Sequence, residues 1–260
     1  MGYGLILGGT KHFGLYDTGQ PMWSFSKALR NMEDKLAAKL ALPAGSEVLD
    51  AGCGMGDVAS RLATSHDLRV TGVDILDFNV EEATRRAKKR KIAADVTFLL
   101  MNYSDLDLPS KKFDGVYTME TLVHSSDPAK ALREFYRVLK PGGRLVLFEY
   151  SRKPDQDISK ASSEALERIN RLAAMPSFQK FYHGVLEEML SEAGFEDIQS
   201  EDLTNGMLPM LHAFSILGTI PYAISRAIGR TSVNTMSGVE MWKHRGDIRY
   251  NAFSATKPGG

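Results

Sequence analysis

The chain has 260 residues, 43% of them hydrophobic, which is enough for one substantial core. Its 32 Lys and Arg residues balance its 32 Asp and Glu residues, so the overall charge gives no argument for a nucleic acid or an anionic membrane as partner. The single cysteine, Cys53, excludes an intramolecular disulfide and favours a reducing, cytoplasmic setting.

From residue 25 onwards, apolar runs of strand length alternate with amphipathic stretches of helical period. This alternation is typical of a doubly wound, mostly parallel sheet that is covered by helices on both faces. The predicted strands are 47–51, 69–75, 96–101, 113–119 and 143–150, and the predicted helices are 25–41, 56–64, 80–91 and 128–139. The fold class is therefore predicted to be α/β, with ligands bound beyond the carboxyl ends of the strands.

A glycine-rich turn, with Gly52, Gly54 and Gly56, joins the first predicted strand to a helix. Glycine lets a ligand lie against the backbone, and the amides that open the helix face that ligand. A dinucleotide site has the spacing G-x-G-x-x-G, so this G-x-G-x-G turn fits a dehydrogenase less well. Asp74, which ends the second strand, can accept hydrogen bonds from ribose hydroxyls in either case. Asp50 precedes the turn, where it would repel a pyrophosphate and attract a cationic ligand that carries an amino group.

The basic run RRAKKRK, at 85–91, is interpreted as the solvated end of a helix, where the helix dipole favours cations. No nucleic-acid partner is therefore expected. The six histidines show no metal-ligand spacing, so no metal site is predicted. The first residues, MGYGLILGGT, lack the basic region and long apolar core of a signal peptide.

Four segments occur in order: VLDAGCGMG (48–56), VTGVDI (70–75), LPSKKFDGVYTMETLVH (108–124) and EFYRVLKPGGRLVLFE (134–149). Together they resemble the successive motifs of class I S-adenosylmethionine (SAM)-dependent methyltransferases. Ahead of them, KHFGLYD (11–17) and SFSKAL (24–29) resemble the sterol and tocopherol C-methyltransferase branch. In that branch a His-aromatic-Gly stretch covers the cofactor.

The resemblance implies SAM as cofactor, S-adenosylhomocysteine as product, and a seven-stranded sheet closed by an antiparallel pair at 197–203 and 247–257. It also implies a cofactor site, position by position. That site comprises Asp50, Gly52, Cys53, Gly54 and Gly56 around the methionine and ribose portions, Asp74 at the ribose hydroxyls, Ile75 against the adenine, Asn102 and Tyr103 at the adenine amine, and Met119 beside the sulfonium.

Four further residues are candidates for catalysis. Glu120 and His124 follow the fourth strand, which places them beside the acceptor; the alternatives are a solvated loop acid and a structural hydrogen bond within the loop. His12 and Tyr16 could close over the cofactor, although aromatic packing of the N-terminal segment explains them nearly as well. Cys53 is interpreted as a small side chain in a crowded turn rather than as a reactive thiol.

The segment 205–246 is predicted to be an insertion. Its apolar centre, 207–224, contains two prolines, which are expected to prevent a single long helix and so argue against a transmembrane span. Met210 and Phe214 there suit a deformable wall for an apolar substrate. Packing against the core is the alternative interpretation.

We therefore expect one methyltransferase domain with an N-terminal lid (1–44), a cofactor-binding core (45–204), a substrate cap (205–246) and a closing strand (247–260). The expected reaction is methylation, at carbon or oxygen, of an apolar small molecule such as a sterol, a terpenoid or another secondary metabolite. One alternative is O- or N-methylation of a polar small molecule, and another is a SAM-binding catalyst or binding protein that does not methylate. Peripheral membrane contact is compatible with the chain, and its oligomeric state is left open.

Overall fold

A computed structural model describes residues 12–229 and 232–259, so the start of the predicted lid lies outside the described residues. The strands are β1 (Glu47–Ala51), β2 (Arg69–Asp74), β3 (Val96–Leu100), β4 (Phe113–Met119), β5 (Leu139–Arg152), β6 (Glu196–Asp202) and β7 (Ile248–Thr256). The helices are α1 (Phe25–Leu40), α2 (Asp57–His66), α3 (Asp77–Arg90), α4 (Pro128–Val138), α5 (Lys160–Leu172), α6 (Val185–Glu192), α7 (Thr204–Ala227) and α8 (Val233–Lys243).

The seven strands form one sheet in the order β3-β2-β1-β4-β5-β7-β6. The strands from β3 to β5 are parallel, and β7 runs antiparallel to both β5 and β6. This arrangement confirms the predicted doubly wound sheet. Because β1 lies between β2 and β4, the carboxyl ends of these three strands meet at the point where the strand order reverses, which is where such sheets bind ligands.

Local sequence sets the ends of the helices. Helix α4 begins with Pro128 after Asp127, whose side chain accepts a hydrogen bond of 2.9 Å from the Lys130 backbone N–H. The same helix ends at Val138, ahead of Pro141. Where helices were predicted, their ends agree within three residues, whereas α5, α6 and α8 were not predicted.

Helix α7 corrects one prediction. The prolines Pro209 and Pro221 lie inside a continuous helix of 24 residues, so the expectation that they prevent a single long helix is wrong. A proline removes the hydrogen bond to the carbonyl four residues earlier, here those of Asn205 and Leu217. Both of these residues are exposed, so water can satisfy their carbonyls, and packing against the core and α8 stabilises the rest of the helix.

Two residues of α7 that were predicted to wall the substrate pocket pack instead against residues 12–24, called the N-terminal segment below, and against the start of α1. Met210 is fully buried, and its sulfur accepts a hydrogen bond of 3.3 Å from the Gly14 N–H. The Phe214 ring lies 5.9 Å from the rings of both Phe13 and Phe25. Met210 and Phe214 are therefore packed inside the protein, as the alternative interpretation expected.

We expect Met210→Ala to lower the free energy of unfolding by about 2 kcal/mol, because it leaves a cavity under the N-terminal segment. Chemical denaturation would measure the change, with Ile220→Ala, at a 70% exposed position of the same helix, as the control. An unchanged stability together with a raised KM for an apolar acceptor would restore the pocket interpretation.

Candidate active site

The glycine-rich turn follows β1 and brings the backbone close to its neighbours. Gly52 has φ +91°, and a Cβ built there would lie 2.7 Å from the Thr121 side chain. Gly54 has φ +51° with nothing within 4 Å of its Cβ position, because it borders a cavity. A side chain at Gly54 would therefore occupy ligand space and strain the backbone.

Asp74 holds this turn in place from the end of β2. Its Oδ2 accepts a hydrogen bond of 2.9 Å from the Gly54 N–H. Its Oδ1 accepts from the Leu76 N–H at 2.9 Å and from the Asn79 amide at 3.1 Å. The carboxylate is thus fixed at the cavity wall, where its remaining lone pairs can accept from a diol.

Asp50 has a buried carboxylate oxygen that lacks a partner. The residue is 3% exposed, and among the described residues nothing forms a hydrogen bond with Oδ2. Burial raises the pKa of Asp50 to about 7; the neighbouring Tyr117 hydroxyl and the charge of His12 oppose this rise, and the charge of Asp74 adds to it. A cationic ligand would supply the missing partner.

The turn opens into a cavity of about 820 Å³ at the carboxyl ends of β1, β2 and β4. Twelve of the fourteen predicted site residues line it: His12, Asp50, Gly52, Cys53, Gly54, Asp74, Ile75, Asn102, Tyr103, Met119, Glu120 and His124. Gly56, which directly precedes α2, does not line the cavity, because it packs against Phe98 of β3. Tyr16 does not line the cavity either: its hydroxyl donates to the Met22 carbonyl at 2.8 Å and its ring is buried, as the alternative interpretation, packing of the N-terminal aromatics, expects.

Glu120 is a junction between the sheet and the N-terminal segment. Its carboxylate accepts from the Phe13 N–H at 2.6 Å, from the Tyr250 hydroxyl at 2.9 Å and from the Tyr150 hydroxyl. Its backbone has φ +59°, a strained conformation for a residue with a side chain. Burial raises the pKa of Glu120, although its hydrogen bonds oppose the rise. Glu120 therefore latches the N-terminal segment over the cavity.

His12 lies between two acceptors beside this latch. Its Nδ1 lies 2.8 Å from the Phe13 carbonyl and its Nε2 lies 3.4 Å from Glu33, an arrangement that favours the protonated ring. Burial alone would lower the pKa of His12, but the hydrogen bond and charge of Glu33 raise it overall. Glu33 also pairs with Arg61 at 2.9 Å. His12 is consequently part of a chain of contacts that runs through Glu33 to Arg61.

His124 also lines the cavity. Its Nδ1 lies 2.8 Å from the Ala174 carbonyl, and because a carbonyl can only accept, Nδ1 carries the proton. In the neutral ring Nε2 is then the nitrogen with a free lone pair. His124 thus makes a structural hydrogen bond, although to the distant Ala174 and not within its own loop, and keeps one nitrogen for a ligand.

Three smaller predictions concern the turn and the adenine end. Burial raises the pKa of the Cys53 thiol, which fits the interpretation of a small, unreactive side chain. The Asn102 side chain accepts from the Ser104 N–H at 2.9 Å, and the Tyr103 hydroxyl donates to the Thr121 carbonyl at 2.8 Å. Both residues therefore shape the cavity wall with their own contacts.

The sequence did not point to several residues of the site. Tyr150 and Met175 line the cavity outside the quoted segments, and Thr121 lines it from within the segment 108–124, where it was not singled out. Glu149 is fully buried; its Oε1 accepts from the Leu122 N–H at 2.6 Å, which holds the turn that carries His124. Burial raises the pKa of Glu149 to about 8. A charged residue inside the apolar run LVLFEY was a signal that could have found it.

Comparison with known proteins identifies the family. A family profile described as "Methyltransferase domain" matches residues 49–147. Over 99% of its length, the chain is 41% identical to an S-adenosyl-L-methionine-dependent Diels-Alderase, iccD, of Talaromyces variabilis, and covers 91% of that protein. It is 33% identical over 78% of its length to 27-O-demethylrifamycin SV methyltransferase of Amycolatopsis mediterranei, of which it covers 73%. The chain belongs to the SAM-dependent methyltransferase family.

Further likenesses within the family concern its branches. The crystal structure of the [4+2]-cyclase SpnF superposes with a TM-score of 0.78 and 25% identity, covering 96% of this chain and 88% of that one. A sterol 24-C-methyltransferase of Neurospora crassa is 29% identical over 81% of this chain and 55% of its own length. The resemblance to class I enzymes and to the sterol branch is thereby confirmed. The similar proteins catalyse either methyl transfer or cycloaddition.

SAM is the family's cofactor, and the residues of this cavity fit it. SAM carries a sulfonium and an amine, and the cavity wall contains the carboxylates of Asp50, Asp74 and Glu120. The partnerless oxygen of Asp50 suits the amine, and the fixed carboxylate of Asp74 suits the ribose diol. The open space beside Gly54 leaves room for the ligand.

SAM binding is expected to tighten as pH rises towards 7 and then to level off. Below its pKa of about 7, Asp50 must release a proton before it can pair with a cation, so affinity should rise by up to about tenfold per pH unit. Calorimetry below about pH 7.5, where an α-amine stays charged, would measure the slope. Asp50→Asn cannot titrate, so its profile should be flat; an equal slope in the variant would show that another group titrates.

Proposed function

We propose that this enzyme, with SAM bound, catalyses an intramolecular [4+2] cycloaddition of an apolar, secondary-metabolite-like polyene in the cytoplasm. The observation that carries the proposal is the 41% identity to a SAM-dependent Diels-Alderase over 99% of the chain. The likeness to a [4+2]-cyclase over 96% of the chain supports it.

Such a reaction asks mainly for placement. Three π bonds of one molecule become two σ bonds and one π bond, so no atom leaves and no proton or electron is exchanged with the protein. A flexible polyene must be held folded, and its ordering entropy is the largest obstacle that a protein can remove. The wall formed by Met119, Tyr150 and Met175 offers apolar surfaces for this purpose, with the N-terminal latch to exclude water.

The cofactor residues serve the same reaction. When bound, SAM supplies a positive sulfonium and a transferable methyl group. Asp50, Gly54 and Asp74 would hold its polar parts at the glycine-rich turn. Glu120 accepts hydrogen bonds from three donors already, so its role is to close the cavity rather than to take a proton from substrate.

Methyl transfer to an oxygen is the second candidate, and one observation favours it. The Nδ1 of His124 is committed to the Ala174 carbonyl, which leaves Nε2 with the lone pair that an O-methyltransferase base requires. In the cycloaddition the same nitrogen would only accept a hydrogen bond from a polar end of the substrate.

The test is an incubation with SAM and a panel of synthetic linear polyenes, each with a conjugated diene and an electron-poor alkene. A cyclase gives an isomer of unchanged mass and leaves SAM intact. A methylase gives a product heavier by one methylene and an equal amount of S-adenosylhomocysteine. Labelled methyl in the product, at the rate of turnover, would overturn the cyclase proposal.

A further inference from the structure

The outer face of α7, together with Ile228 directly after it, carries a row of exposed aliphatic side chains. Ile216 is 48% exposed, Leu217 44%, Ile220 70%, Ile224 57% and Ile228 62%. Spacings of four residues place most of them one above another on successive turns. We call these five residues the α7 stripe. Scattered exposed aliphatics are ordinary, whereas five on one helix face form a patch that needs an explanation.

The stripe continues a face that is covered in the first half of the helix. There, Met210 and Phe214 pack beneath Gly14 and Phe25. Helix α8 packs against α7 at Phe214 and Gly218: a Cβ built at Gly238 would lie 3.2 Å from the Phe214 Cβ, and one built at Gly218 would lie 3.0 Å from the Thr235 carbonyl. Beyond Phe214, the described residues leave the stripe open to solvent.

Positive charge borders one edge of this face. Helix α7 has no charged residue before Arg226, which is exposed and lies 5.9 Å from the Tyr222 ring. The Tyr222 hydroxyl accepts from Arg168 at 3.2 Å, and Lys243 stands near by on α8, paired with Glu240 at 3.3 Å. Arg168 and Lys243 both pair with Glu240, at 3.6 and 3.3 Å, and Arg226 adds a third cation to this edge.

We propose that the α7 stripe docks on an anionic lipid surface, with the helix lying along it. An apolar helix face with a basic edge is the pattern of helices that lie in the interface of a bilayer. The apolar face would enter the boundary between headgroups and acyl chains, and the cations would meet the headgroups. An apolar polyene would partition into the same layer.

A transmembrane role for α7 fits the structure less well. By length and composition the helix could cross a membrane. However, 44% of its most apolar part is buried inside the protein. Spanning would pull Met207, Met210 and Leu211 out of the core that they complete.

The area also argues against a second copy of the chain as the occupant. From Ile216 to Ile228 the stripe is about 18 Å long and about 10 Å wide. Its footprint is therefore roughly 200 Å², whereas a stable interface needs about 800 Å² per partner. Insertion into lipid has no such threshold.

The experiment is flotation of the full-length protein with vesicles of phosphatidylcholine alone, or of phosphatidylcholine and phosphatidylserine in equal parts. We expect binding to the anionic vesicles, and Ile220→Glu should reduce the ratio of bound to free protein at least about tenfold. Phe78→Glu makes the same change at a 67% exposed position on α3 and should bind as the native protein does. Arg226→Glu should weaken binding to anionic vesicles only.

Two further measurements keep the outcomes separate. SAM affinity of the Ile220→Glu variant should match the native value, which shows that the variant is folded. The proposal fails if the native protein does not float, or if Ile220→Glu and Phe78→Glu bind equally. A native dimer that Ile220→Glu dissociates would also overturn it, since the stripe would then be an interface between copies.

Discussion

Replacing Glu120 by alanine is expected to unlatch the N-terminal segment and to destabilise the whole fold. The Phe13 N–H and the hydroxyls of Tyr150 and Tyr250 would lose their common acceptor inside the protein. Each buried donor left unsatisfied costs about 1–3 kcal/mol, so the free energy of unfolding should fall by about 4 kcal/mol. SAM affinity should fall at least roughly tenfold, because the covering segment is released.

Denaturant melts and calorimetry with SAM measure these two effects. Glu201→Ala is the matched control, since this half-exposed acid pairs with Lys35 and Lys39 at the surface and should cost less than about 1 kcal/mol. Glu120→Gln keeps one acceptor oxygen and should lie between native and Glu120→Ala. A Glu120→Ala protein with native stability and native SAM affinity would refute the latch.

Replacing Asp74 by alanine is expected to weaken SAM binding about a hundredfold or more, roughly 3 kcal/mol. The loss has two parts. A charge-assisted pair of hydrogen bonds to the ribose hydroxyls disappears, and the Gly54 N–H loses the acceptor that fixes the glycine-rich turn. Leu76 and Asn79 lose the same acceptor, so the wall of the cofactor site would loosen as well.

Asp77→Ala separates this effect from a general loss of negative charge near the cavity. Asp77 is an exposed acid in the first turn of α3, and its removal should change SAM affinity by less than about twofold. Calorimetry on both folded variants decides the matter. Equal affinities for Asp74→Ala and native protein would remove Asp74 from the cofactor site.

The sheet and the cofactor half of the site could be predicted because they depend on local sequence. Strand runs, helix ends and the turn around Gly54 are each written in a few neighbouring residues. Parallel strands then bring Asp50 and Asp74 to one edge without further information. Packing of α7 was harder, because Pro209 and Pro221 argue locally against a helix that tertiary contacts stabilise.

The part of the site that would face the substrate depends on contacts between distant parts of the chain. Nothing near Glu120 in sequence shows that Phe13 and Tyr250 donate to it, or that the Ala174 carbonyl fixes the tautomer of His124. For the same reason the sequence left two interpretations of Tyr16 open, and only the structure shows that its hydroxyl donates to the Met22 carbonyl. Met175 lines the cavity from a loop that carries no recognisable pattern.

The junction at Glu120 has a consequence for how often the cofactor is exchanged. One of the three donors, the Phe13 N–H, belongs to the N-terminal segment, so this segment must break that contact before a ligand that it covers can leave. We expect this step to lengthen the residence time of SAM. A methylase has to eject its spent cofactor after every cycle, and slow opening would limit its kcat. A cyclase keeps SAM intact, so a single bound molecule can serve many successive substrates while the segment stays closed at Phe13.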